Sequence, residues 1–187
     1  MSKEPSEEKF LEVNAPLVYN LALRLIGNPA DAEDLAQDAL LRALKALPKF
    51  RGDSLTTTWV YRITVNTWKN RVRSEKRRSF WKTLPLSLFV GGSDEDESGE
   101  SHIADGAPAL DADMEKEETS QAVQSALLKL DEESRAVIIL RDLKGMSYQE
   151  IAETMSLPEG TVKSRISRAR ETLKNRLKSF VEFGKRP

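Results

Sequence analysis

The sequence predicts an all-α protein of two small helical domains joined by a flexible acidic linker, and three observations carry that expectation. Apolar residues recur at i, i+3/i+4 spacing over residues 6–82 and again over 119–180, with no strand-like alternation of useful length. Between them, residues 83–118 have few large apolar side chains after Val90, and carry Gly91, Gly92, Pro108 and dense acidity. Such a stretch buries too little surface to offset its ordering entropy. Hydrophobic residues are 39% of the 187 and charged residues 32%. Ordinary globular domains run at about 45–50% and about 25%, so each core must be small.

The elements follow in chain order. Leu17, Val18, Leu21, Ala22 and Leu25 make the first helical stripe, which Gly27 stops. Asn28 and Pro29 read as N-cap and first residue of a second helix, with Asp31, Glu33 and Asp34 at its positive dipole end. That helix buries Ala32, Leu35, Ala36, Ala39, Ala43 and Leu47 and ends at Pro48. Phe50-Arg51-Gly52-Asp53-Ser54 is a turn-rich loop, and a third helix runs from about Thr56 to at least Arg73. In the second domain Val123, Leu127 and Leu130 precede a capping Asp131, and Ala136, Ile139, Leu140 and Leu143 form a stripe closed by Gly145. Ser147 and Glu150 form a capping box that opens a short helix facing Ile151, Ala152 and Met155 inward. A turn over Ser156–Gly160 leads into a long helix from about Thr161 to Lys178.

Composition narrows the chemistry. The chain has no cysteine, which excludes disulfides, thiolate metal sites and cysteine nucleophiles, and fits a reducing compartment. One histidine, His102, leaves no His-pair metal site. No run of 18 apolar residues suggests a membrane span, and the polar, acidic start predicts no secretory leader. The net charge of −1 hides segregation: residues 92–118 hold eleven acids against Lys116. Residues 45–82 carry eleven Lys/Arg against Asp53 and Glu75, and residues 160–187 nine against Glu171 and Glu182. Two basic patches on an acidic tether suggest two contacts with a polyanion; on charge alone, solvated helix faces and a solubilising loop read equally well.

The most specific element is the short helix, tight turn and basic helix from Ser147 to Lys178. Val162, Ile166, Ala169 and Leu173 make an inward stripe, while Lys163, Ser164, Ser167 and Arg168 face out and Arg165 and Arg170 flank them. This is the layout of a helix-turn-helix recognition helix, in which serine and arginine reach base edges and Lys163 and Arg165 grip phosphates. The bland alternative is a helical hairpin with a basic solvent face. The helix from Thr56 mixes aromatics, amides and cations, a composition suited to separated bases. Trp59 there reads as core with Ile63, and Trp68 stays open. Asn66 and Asn70 form an i, i+4 amide pair that a helix has no structural need for. Asp31, Asp34, Gln37 and Asp38 share one face of the second helix. On its own that face reads first as a solvated acidic surface; with all its carboxylates within two turns of one helix and no opposing ligand, it makes a poor metal site.

The order of Asp34-Leu35-Ala36-Gln37-Asp38, Phe50-Arg51-Gly52-Asp53-Ser54, Thr58 through Thr67, Gly145 through Ala152, and Glu159-Gly160-Thr161-Val162-Lys163-Ser164-Arg165 resembles the extracytoplasmic-function group of bacterial sigma-70-family sigma factors. The resemblance implies sigma region 2 over 6–82, a linker over 83–118 that threads the polymerase's nucleic-acid channel, and sigma region 4 over 119–180. It implies a cytoplasmic protein, monomeric when free, with no enzymatic activity, cofactor, metal or membrane contact of its own. Its partners would be core RNA polymerase (β′ clamp helices and β flap), promoter DNA and an anti-sigma factor. Asp34, Gln37, Asp38 and Leu41 would bind the polymerase. Phe50, Arg51, Asp53, Arg62, Asn66 and Asn70 would read and melt the minus-ten element, with Asn66 foremost and the Phe50–Leu55 loop holding a flipped base. Lys163, Ser164, Arg165, Ser167 and Arg168 would meet the minus-thirty-five duplex; some relatives carry a larger side chain at Ser167.

Two other classes fit parts of the sequence. An autonomous DNA-binding regulator would use 6–82 to dimerise, and solution mass discriminates it. A helical enzyme built on Asp31, Asp34 and Asp38 would bind divalent cations tightly, which calorimetry tests.

Overall fold

A computed structural model describes the backbone of residues 7–83 and 111–183, with side chains over 7–80 and 118–178. Among the described residues there are seven α-helices and no strands: α1 (Glu7–Ile26), α2 (Pro29–Ala46), α3 (Thr56–Thr83), α4 (Asp111–Leu128), α5 (Glu132–Ile138), α6 (Tyr148–Met155) and α7 (Glu159–Phe183). The linker expectation over 84–110 lies outside the described residues. Its last part does not read as a loop, because α4 starts at Asp111. No glycine or proline interrupts 111–128, and the acids that open it suit a helix N-terminus.

The first three helices pack on Val18, Leu21, Ala22, Leu25, Leu35, Ala39, Val60, Val65 and Trp68, all at least nine-tenths buried. The sequence left Trp68 open; at 4% exposure it is core. Trp59 packs edge-on against Phe10 with ring centroids 6.3 Å apart, and lies 4.8 Å from the Phe50 ring. Asn28 caps α2, its side chain accepting from the Asp31 N–H at 3.1 Å. A single 3₁₀ turn at Leu47–Lys49 ends that run at Pro48. α1 passes through Pro16, and buried Asn14 donates to the Phe10 carbonyl at 2.8 Å one turn earlier.

In the second domain Asp131 caps α5, and Ser147 with Glu150 closes the capping box of α6. α5 continues into one wider turn of π geometry, Ile139–Leu143, where the Lys144 N–H reaches the Ile139 carbonyl at 3.1 Å. Ser156 then takes the left-handed conformation, φ 57°, in the turn before α7. α7 starts at Glu159 rather than Thr161, since the Pro158 carbonyl already accepts from Thr161 and Val162.

The two domains touch, and their buried residues form one apolar cluster. The second domain meets carbonyls at the C-terminus of α1: Arg135 donates to Leu25 at 2.7 Å, and Gln124 donates at 3.2 Å to Leu23, which also accepts from the Gly27 N–H. Such end groups need a partner wherever water is excluded. Arg24 in turn donates to Gln124 and Ser120, at 3.1 and 3.2 Å. Leu128 of α4 presses on Gly27, where φ is +86° and any Cβ would collide with the leucine methyls. Across the bundle α3 packs on α6, and Lys144 lies 5.4 Å over the Tyr61 ring. Burial, with Arg24 nearby, lowers the Lys144 ammonium below its ordinary pKa.

Candidate polymerase and nucleic-acid interfaces

α2 divides cleanly between faces. Ala32, Leu35, Ala36, Ala39 and Ala43 go inward, leaving Glu33, Asp34, Gln37, Asp38 and Leu41 exposed. Leu41 is 56% exposed, an apolar residue among acids that nothing in its own domain covers. Asp31 departs from this set: its carboxylate pairs with Arg71 of α3 at 2.8 Å. The four-residue acidic face read from the sequence is therefore a three-residue polar face extended by Leu41.

α3 buries Val60, Tyr61, Thr64, Val65 and Trp68. Thr64 and Thr67 turn their hydroxyls onto the Val60 and Ile63 carbonyls, at 2.9 and 2.8 Å, so neither offers a donor to a ligand. Asn66 and Asn70 are exposed on the outer side, and Asn70, Arg73, Lys76 and Arg77 line a shallow basic hollow. Arg62 is only partly exposed and binds Glu153 of α6 at 2.8 Å. In the preceding loop Arg51 and Asp53 face solvent, and Leu55 is 75% exposed. Phe50 is half-buried, its ring tilted against Trp59 at 4.8 Å.

The helix-turn-helix is built as its stripe requires, with Val162, Ile166 and Ala169 buried. Ser164, Ser167 and Arg168 are exposed; Arg168 lies along the helix, donating to the Ser164 carbonyl at 3.3 Å. Lys163 is paired one turn back with Glu159 at 2.6 Å and sits 5.4 Å over the Tyr148 ring. Arg165 turns inward, to Glu133 at 2.5 Å and Asp131 at 3.7 Å, so here it ties α7 to α5. Arg170, named only as a flank, makes a two-point contact with Asp142 at 2.5 and 3.0 Å. The cross-helix acids that hold Arg165 and Arg170 lie some 30 residues away, so helical periodicity gave no sign of either pairing.

Both domains match known protein families. The family model described as Sigma-70 region 2 matches residues 10–78, and that described as Sigma-70, region 4 matches 120–173. The RNA polymerase sigma-H factor of Pseudomonas aeruginosa is 35% identical over 164 residues, 88% of this chain and 82% of that one. The ECF RNA polymerase sigma-E factor of Escherichia coli K12 is 39% identical over 155 residues, 81% and 76% of the two chains. This chain belongs to the extracytoplasmic-function sigma factors. As a sigma factor it is a transcription initiation factor, not an enzyme. Its fold matches the sigma factor RpoE of Bartonella quintana, solved with the anti-sigma factor NepR, at TM-score 0.67 and 30% identity, covering 91% of this chain and 96% of that one. It also matches CnrH, solved with the cytosolic domain of CnrY, at TM-score 0.59 and 25% identity, covering 95% and 91%. No described helix is long and apolar enough to cross a membrane.

Proposed function

We propose that this sigma factor docks on core RNA polymerase through Asp34, Gln37, Asp38 and Leu41 and carries two DNA-reading helices to a promoter. The observation that carries this reading is a division of labour between faces. α2 keeps a bare acidic and apolar face, while α3 keeps Asn66 and Asn70 outward beside Arg73 and Arg77. Protein docking and strand contact therefore use different helices and can occur together. Asn66 supplies an amide able to pair with a base edge, Asn70 and the cations hold the backbone, and Arg51 and Asp53 border a base drawn out toward the loop. Ser164, Ser167 and Arg168 meet the minus-thirty-five duplex in its major groove, and Lys163 holds phosphate. The protein acts where the polymerase is, in the cytoplasm, and the solved relative RpoE, bound to the anti-sigma factor NepR, supports such a partner here.

Neither rival class from the sequence survives. The family assignment removes the autonomous regulator, and the Arg71 pairing takes Asp31 out of the carboxylate set an enzyme would need. The decisive experiment is transcription from genomic fragments with purified core polymerase, with and without the chain. Discrete new starts are expected, lost in Asp34→Ala/Gln37→Ala. Transcripts that survive this double substitution unchanged would remove α2 from the docking surface.

A further inference from the structure

A cavity of about 200 Å³ opens where the C-terminus of α1 and the middle of α3 face α5. None of its lining residues belongs to the proposed polymerase or DNA contacts. Leu25, Ile26, Trp68 and Val72 make its apolar wall. An apolar cavity of roughly 150 Å³ already admits a benzene ring, so this one has room for an aliphatic or aromatic side chain. The charged groups around it divide into two ends. At one end Arg71 serves two carboxylates, Asp31 at 2.8 Å and Glu75 at 3.1 Å. Each acid spends one oxygen on that arginine, and Asp31 Oδ2 and Glu75 Oε2 have no protein donor among the described residues. That end carries one negative charge in excess. At the other end Glu132 is matched by Lys76, while Arg135 makes no ion pair among the described residues. Arg135 Nη1 donates to the Leu25 carbonyl at 2.7 Å, and its Nε is buried without an acceptor. Burial lowers the Arg135 pKa and outweighs the opposing charges of Glu132 and Asp131. A guanidinium so placed gains from an anion brought to it.

We infer that this cavity binds an α-amino acid with an apolar side chain, its carboxylate on Arg135, its ammonium between Asp31 and Glu75, and its side chain on Trp68 and Val72. The charge distribution selects this class. A simple carboxylate would answer Arg135 and leave the acidic end in excess, and a simple amine would do the reverse. A zwitterion answers both ends and leaves the net charge of the site unchanged. Charge-assisted hydrogen bonds at the two ends fix the orientation, and the apolar wall selects the side chain. A charged side chain would be turned toward Leu25, Ile26, Trp68 and Val72, where it has no partner. The lining is drawn from α1, α2 and α3 of one domain and α5 of the other, so the ligand touches both. The site lies beyond promoter recognition and does not depend on it.

Isothermal titration of the full chain with L-leucine tests the site. Glycine, isovalerate and isoamylamine serve as comparison ligands that lack the side chain, the amine and the carboxylate respectively. One leucine per chain is expected, bound about tenfold more tightly than any of the three, the scale of one lost charged contact or one unburied side chain. Val72→Phe fills the cavity and keeps every charged group, and it should abolish binding. Glu75→Gln should weaken leucine about tenfold by removing one partner of the ammonium. Arg135→Gln should bind isoamylamine as the unaltered chain does and lose the preference for leucine over it, a pattern that a misfolded variant would not show. Leucine should also raise the denaturation midpoint of the unaltered chain, and not that of Val72→Phe. Neither heat nor a midpoint shift up to the solubility limit of leucine overturns the inference. Isovalerate or glycine bound as tightly as leucine, or undiminished binding in Val72→Phe, overturns it too.

Discussion

Gly27 carries two separate constraints. Its φ of +86° strains any L side chain, and the Leu128 methyls fill the space a Cβ would need. Gly27→Ala should destabilise the chain by about 1–3 kcal/mol, seen as a lower denaturation midpoint. Adding Leu128→Ala should return only the steric part; full recovery would show that the backbone angle is unstrained. Asn66 is the contrasting case, exposed and outside the packing of α3. Asn66→Ala should lower polymerase-dependent transcription about tenfold, the scale of one lost base contact, with the denaturation midpoint unmoved. A midpoint shift comparable to that of Gly27→Ala would mark Asn66 as structural.

At the scale of the element, the caps decide where helices begin, and their charge makes the second domain sensitive to acid. The Ser147 N–H donates to Glu150 at 2.8 Å, and this bond holds the Glu150 carboxyl below its ordinary range despite some burial. Burial raises the Asp131 carboxyl, but hydrogen bonds from Ser134 and the charge of Arg165 outweigh it and the net shift is downward. A carboxyl lowered by folding stabilises above its unfolded pKa, about 4, and loses that contribution as pH falls through the folded value. Melting between pH 6 and about 3 should therefore show a loss that is smaller in Asp131→Asn/Glu150→Gln; equal slopes would count against it. Those caps were legible because their signals lie within four residues: Asn28 before Pro29, Asp131 before an acidic turn, Ser147 three before Glu150. The outward positions of Ser164, Ser167 and Arg168 were equally legible from a single helical stripe. The roles of Arg62, Arg71 and Arg165 were not. Each binds an acid 32 to 91 residues away in the chain, Glu153, Asp31 and Glu133 respectively, and no local pattern encodes such a partner, although Arg71 also pairs one turn on with Glu75.

For the whole molecule, the single apolar cluster implies that the domains stabilise one another. Part of that coupling is ionic and exposed, through Arg62–Glu153 and Lys76–Glu132. Calorimetry at low ionic strength should give one unfolding transition, splitting toward two near 1 M salt, where the screening length is about 3 Å. One transition at all salt concentrations would assign the coupling to Leu128, Arg135 and their neighbours alone. The proposed docking face stands apart from all of this: Asp34, Gln37, Asp38 and Leu41 remain uncovered by the second domain. Docking through α2, as proposed, therefore asks for no prior parting of the domains. Association with the polymerase would then run at the pace of encounter, with no conformational step to wait for.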